Sequence, residues 1–222
     1  MIPKISKLRA AFIAGVAIAA LSVSSAVVPA AKAADPIKIG FSMALTGPLA
    51  GGGKQALVAM EMWADDVNKK GGLLGRTVKL VHYDDQTNPK NVPGIYAKLL
   101  DIDKVDFVVS GYGTNLIAPA LPVVIQRDIV FMGLFGMNNN KKWKYDKYFQ
   151  ILPSGPDPAV DFSRAWFDTV MQLKPKPKSI AFVAADAEFA RNLKEGAVVN
   201  AKRLGLKITY NKNYKPGTPD FT

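Results

Sequence analysis

The chain has 222 residues, 29 lysines and arginines against 18 aspartates and glutamates, one histidine and no cysteine. That composition excludes disulfides, thiolate metal sites and a lipid-attachment cysteine, and leaves His82 without a second histidine to share a metal ion. The net charge of +11 sits on scattered lysines, loosely clustered only at Lys141, Lys142, Lys144 and Lys147, so a solvated basic surface is expected and no nucleic-acid partner.

Residues 1–33 read as a signal peptide. Lys4, Lys7 and Arg9 precede an apolar, alanine-rich stretch from Ala10 to Val28, Pro29 breaks it, and Ala31-Lys32-Ala33 forms a small-residue cleavage site. An uncleaved anchor is the other reading, since the apolar run nearly reaches spanning length. The many alanines and serines favour cleavage after Ala33. Four of the basic residues and none of the acidic ones lie in this segment, so the remaining 189 residues carry +7. A Gram-negative periplasm is the expected location.

From Ile37 the pattern alternates strand and helix. Ile37–Leu45 is an apolar strand, punctuated by Thr46-Gly47-Pro48 and Gly51-Gly52-Gly53. Ala56, Leu57, Met60, Trp63, Ala64 and Val67 recur at helical spacing, and Gly71-Gly72 ends that helix. Thr77–Tyr83 is a second strand, with Val78, Leu80 and His82 on one face. Asn88-Pro89 has the form of a helix N-cap and first position, with a restart at Val92-Pro93 and an end near Leu100. Val105–Ser110 is a strand apolar enough to be covered on both faces. A helix over Asn115–Gln126 and a strand over Ile129–Leu134 follow, then a polar, lysine-rich stretch and a short strand, Phe149–Leu152, closed by Pro153.

A second unit follows. Residues 156–173 read as a helix, Lys174–Lys178 as a stiff linker, Ile180–Ala184 as a strand, Ala187–Leu204 as a helix and Leu206–Tyr210 as a strand. The expected fold class is α/β, with two doubly wound parallel-sheet lobes, the first at 34–154 and the second, incomplete, at 155–222.

Catalytic signals are poor, and an enzyme is not expected. His82 lies mid-strand, no Gly-x-Ser-x-Gly elbow exists, and Asp84-Asp85 reads as a turn closing the second strand, its side chains on opposite faces. A hydrolase using Asp84 or Asp85 is the minor alternative. Gly51–Lys54 fails as a phosphate loop, because Pro48 stands at the first glycine and Gln55 at the Ser/Thr. Gly111 and Gly113 lack the third glycine of the dinucleotide fingerprint. No cofactor is expected.

The same loops suit a ligand better. Ligands of open α/β sheets bind at the carboxyl ends of strands, which here means Thr46–Gly53, Gly111–Asn115 and Phe135–Asn138. Thr114 opens a helix, where it either grips a carboxylate with its hydroxyl and the free amides or only caps the helix.

At these loops the chain resembles the branched-chain amino acid substrate-binding proteins of ABC importers, a branch of the type I periplasmic binding proteins. The similar stretches are Ile37–Pro48, Asp66–Arg76, Val81–Pro89, Val105–Pro119, Ser179–Phe189 and Asp220–Thr222. The resemblance implies two lobes joined by three crossing strands, a ligand clamped between them, and an inner-membrane ABC permease as partner of a monomer. It implies that the chain corresponds to the first part of a longer protein, with the acidic residue that holds the ligand's ammonium later in sequence. By position it implies that Thr114 grips the carboxylate, that Phe135, Gly136 and Met137 offer backbone and side-chain groups to the ligand, and that Phe189 closes over it. Met137 replaces a threonine and Gly52 an aromatic residue, which would enlarge the space. Asn115 or Asn138 could supply a replacement polar group. Tyr112, Phe135, Met137 and Phe189 would then line an apolar pocket, with Gly113 a further ligand-binding candidate in the loop. A branched-chain amino acid is the default ligand, an aromatic or aliphatic carboxylate the competitor, and a ligand sensor on the same fold the alternative role.

Overall fold

The computed structural model describes residues 35–152, 155–216 and 218, so the signal reading at 1–33, the strand stop at Pro153 and the segment Asp220–Thr222 lie outside the described residues. Ile37–Met43 forms β1, flanked by β2 (Val78–Asp84) and β3 (Phe107–Val109), with β4 (Phe131–Gly133) and β5 (Tyr148–Gln150) beyond. All four pairings are parallel and the strand order is β2-β1-β3-β4-β5. The chain therefore steps outward from β1 to β2 and then returns past β1 to β3. That reversal opens a crevice at the carboxyl ends of β1 and β3.

Both faces of this sheet are covered, as its apolar central strands require. On one side Ile39, Phe41 and Met43 pack with Ala56 and Ala64 of α1 (Ala50–Lys69). On the other, Val108 and Phe131 pack with Val92, Tyr96 and Leu99 of α2 (Val92–Asp101). His82 stacks on Phe41, its register partner in β1, with ring centroids 5.4 Å apart. The histidine is a packed structural group.

Two helix expectations change in the structure. Asn88-Pro89 does not open a helix: the Asn88 N–H donates to the Asp85 carbonyl at 2.9 Å in a turn, and α2 begins at Val92 with Pro93 in its first turn. The single helix expected over Asn115–Gln126 is three short pieces: α3 (Thr114–Ile117), a 3-10 turn (Ala118–Ala120) and α4 (Leu121–Gln126). Pro119 and Pro122 explain the breaks, because neither can donate the N–H that a continuous helix needs.

The later residues build a separate two-stranded parallel sheet from β6 (Ser179–Ala185) and β7 (Lys207–Tyr214), longer at its end than the alternation suggests. Its small core joins Phe182 and Leu206 to Phe167 of α5 (Pro158–Val170) and Ala201 of α6 (Glu188–Arg203). Asp157 caps α5 by accepting from the Val160 N–H, while Asp161 accepts from the Asp157 N–H at 2.9 Å. No helix among the described residues is long and apolar enough to cross a membrane.

Candidate functional site

The ends of β3 and β4 are tied together by side chains and backbone. The Ser110 hydroxyl accepts from the Leu134 N–H at 2.8 Å, and Ser110 N–H donates to the Met132 carbonyl at 2.9 Å. One turn further, Tyr112 and Phe135 form an isolated parallel bridge, and the Gly113 N–H donates to the Phe135 carbonyl at 3.2 Å. Gly113 then turns the chain into α3 at φ 110°, a conformation that glycine alone adopts readily.

Gly113, not Thr114, occupies the N-cap position of α3, and no side-chain cap is made. The Thr114 hydroxyl instead accepts from the Met137 N–H at 3.2 Å, and the residue is 1% exposed. A hydroxyl that accepts on one side keeps its proton to donate on the other.

Over these loops lies a cavity of about 350 Å³, within the range of small-molecule sites. Tyr112, Gly113, Thr114, Asn115 and Phe135 line it from the first sheet. Phe189 faces them from the start of α6, beyond the carboxyl end of β6. Tyr112 and Phe135 rest together with ring centroids 5.7 Å apart, and Phe189 is held edge-on against Phe162 at 6.2 Å. Six of the residues singled out from sequence therefore meet around one space.

The other four do not line it. Gly52 lies under the Tyr112 ring, so the enlargement expected there is taken up by the tyrosine: a Cβ at Gly52 would stand 2.3 Å from its Cζ. Gly136 packs against Ile117 and Asn139, where a Cβ would find no room. Met137 is 1% exposed and contributes no side-chain wall. Asn138 turns at φ 57° into a different hollow, beside Tyr148, Gln150 and Asp157. The apolar wall expected of Met137 comes from Leu49 and Leu152.

Sequence reading also missed Ala187, Glu188 and Ala190 in the lining. The signal was available, since they follow β6 as Tyr112 follows β3. The glycines that suggested a ligand-cradling loop serve the chain itself. A Cβ at Gly53 would meet the Ala44 carbonyl at 2.0 Å, and one at Gly111 the Ser42 carbonyl at 2.1 Å.

The adjacent carboxylates Asp84 and Asp85 are engaged structurally. Burial pushes the Asp84 carboxyl up, but hydrogen bonds from the Thr46 hydroxyl and from the Gln86, Leu45 and Thr46 N–H groups outweigh it and hold it below the usual aspartate range. Asp85 is fully buried, and burial raises its carboxyl despite a hydrogen bond from the Thr87 N–H at 2.9 Å. Among the described residues there is no group of three or more metal-ligating side chains.

A family model described as periplasmic binding protein matches residues 36–222. The amino acid binding protein of Pseudomonas aeruginosa is 33% identical over 204 residues, which cover 92% of this chain and 54% of that protein. The chain spans about half the length of the curated relatives it matches. Among solved structures, the branched-chain amino acid transporter substrate-binding protein LivJ of Streptococcus pneumoniae, in complex with isoleucine, aligns with TM-score 0.69 at 19% identity, over 84% of this chain and 52% of that one. An ABC transporter solute-binding protein from Rhodopseudomonas palustris, in complex with 3,4-dihydroxybenzoic acid, aligns with TM-score 0.66 at 19% identity, over 84% and 49%. These structures share the α/β fold described above.

Proposed function

This chain belongs to the periplasmic binding protein family, and we propose that the full-length protein captures a small carboxylate-bearing ligand in the cavity between Thr114 and Phe189. One observation carries this reading: strand-end segments of two separate sheets converge on a single aromatic-walled cavity. In this reading residues 34–154 form the first lobe and 155–222 begin the second. The Thr114 hydroxyl, its acceptor side engaged by Met137, donates to the ligand carboxylate, and the Asn115 amide assists. Phe189 closes the far side by hinge motion between the lobes.

A branched-chain amino acid is the first candidate, in keeping with the resemblance and with what the Streptococcus pneumoniae structure holds. An aromatic carboxylate is the second, favoured by Tyr112, Phe135 and Phe189 standing together. The protein binds without turnover, is exported to the periplasm with cleavage after Ala33, acts as a monomer and delivers its ligand to an inner-membrane ABC permease. A thermal-shift screen of the full-length protein against amino acids and small carboxylates tests the binding step. Stabilisation by one of them is expected. No stabilisation across a broad panel would count against the proposal.

A further inference from the structure

We infer that Thr87, which stands outside the cavity, is a positioning residue that sets the cavity's size selectivity by fixing Leu49. The inference rests on the cavity being the ligand site. Leu49 ends the loop between β1 and α1, supplies part of the apolar wall, and lies against Gly113, where a Cβ would stand 2.8 Å from Leu49 Cδ1. The Leu49 N–H donates to the Thr87 hydroxyl at 3.3 Å, and that hydroxyl donates its own proton to the Thr46 carbonyl at 2.7 Å. One oxygen thus holds the loop at two points, using its donor and one of its acceptor positions. Thr87 is in turn rooted in the core, its N–H donating at 2.9 Å to Oδ1 of the fully buried Asp85.

The backbone distinguishes Thr87 from an ordinary turn residue. Gln86 and Thr87 stand at φ 58° and 56°, in the left-handed region, where a β-branched residue is strained. Glycine or asparagine would form a turn that only reversed the chain with less strain. What threonine adds is its hydroxyl, and both groups the hydroxyl engages belong to the loop that carries Leu49. Strain of this kind persists where the surroundings over-determine it, and it gathers around binding sites. Asp84 holds the earlier end of the same loop through the Leu45 and Thr46 N–H groups, so losing the Thr87 hydroxyl frees the Leu49 end and leaves the start attached. A wall that yields admits larger ligands and packs less well on those that fit. Were Thr87 only a turn residue, its loss would lower stability and leave the ranking of ligands unchanged.

The test is calorimetric titration of the full-length protein with two series graded in size: L-valine, L-leucine and L-phenylalanine, and benzoate, phenylacetate and cinnamate. In any series it binds, the wild type is expected to prefer one member over a larger one. Thr87→Val keeps the shape and removes the hydroxyl, and is expected to narrow that ratio by about fivefold. Thr87→Ser, which keeps the hydroxyl, should retain it. Thr87→Gly relieves the strained backbone and carries the same expectation as Thr87→Val should the valine variant fail to fold. Amide hydrogen exchange needs no ligand: the Leu49 N–H is expected to exchange about tenfold faster in Thr87→Val, with a smaller change at Phe41 in β1. A ratio unchanged in the folded variants, or exchange at Leu49 altered no more than at Phe41, overturns the inference. A wild type that binds the largest member of each series best also overturns it, and that readout needs no variant. Should the wild type bind none of the six, the reading of the cavity fails first and the role of Thr87 in ligand choice with it, whereas binding with an unchanged ratio defeats the role of Thr87 alone.

Discussion

The ring of Tyr112 occupies the place of a side chain at Gly52: a Cβ there would lie 2.3 Å from the tyrosine Cζ and 2.5 Å from its Oη. The two residues meet because the loops following β1 and β3 stand side by side where the strand order reverses. An aromatic wall is thus present in the crevice although position 52 has no side chain.

Gly52→Ala is expected to displace the Tyr112 ring and weaken ligand binding. Tyr112→Ala makes room for the new methyl group, so the two substitutions should couple by about 1 kcal/mol in a double-mutant cycle. Calorimetric titration of the four proteins measures it, and strict additivity would show that the ring moves aside freely.

Thr114→Val removes the acceptor of the buried Met137 N–H while nearly preserving volume. A loss of about 1–3 kcal/mol in urea unfolding is expected, since the stranded donor loses its partner away from water. Thr114→Ser should remain close to wild type in stability and in ligand affinity.

The adjacent carboxylates should show opposite pH signatures. Asp84, whose folded carboxyl lies below its unfolded value, contributes stability that is present above the ordinary aspartate range and lost as pH falls through the folded value. Asp84→Asn should therefore destabilise at neutral pH, with the difference shrinking on acidification. Asp85 is raised by burial, so its ionisation opposes folding as pH rises from the unfolded toward the folded value. Asp85→Asn should cost least, or stabilise, at neutral pH. Denaturation midpoints of both variants across the acid range check the two signs.

Asn200 locks α5 to α6. It is fully buried, and its amide donates to the Val160 carbonyl at 2.8 Å and to the Ser163 hydroxyl at 3.0 Å, while its oxygen accepts from Arg203 Nε at 3.3 Å. Asn200→Ala is expected to destabilise by about 2 kcal/mol. A fluorescence probe of the α5 tryptophan Trp166 during urea unfolding would report that loss.

Much was legible in local pattern. The apolar run Ile37–Met43, the helical spacing from Ala56 to Val67 and the alternation through β6, α6 and β7 depend on residues close together in the chain, where periodicity and turn chemistry act directly. The same locality marked Tyr112–Asn115 and Phe135 as strand-end residues, and so as candidates for a site, whereas Phe189 was implied only by the family resemblance. By itself the sequence determined an α/β fold, its order of elements, and a resemblance that the family match bears out.

Partnership between distant residues was decided only by the tertiary structure. Nothing near Gly52 announces that Tyr112 will cover it, and nothing near Met137 announces that its side chain will be buried while its N–H goes to Thr114. Periodicity shows which face of an element is apolar, but the group on the other side of a cavity is supplied by whichever strand the sheet order brings there. That order arises from packing of the whole chain, which no short stretch encodes.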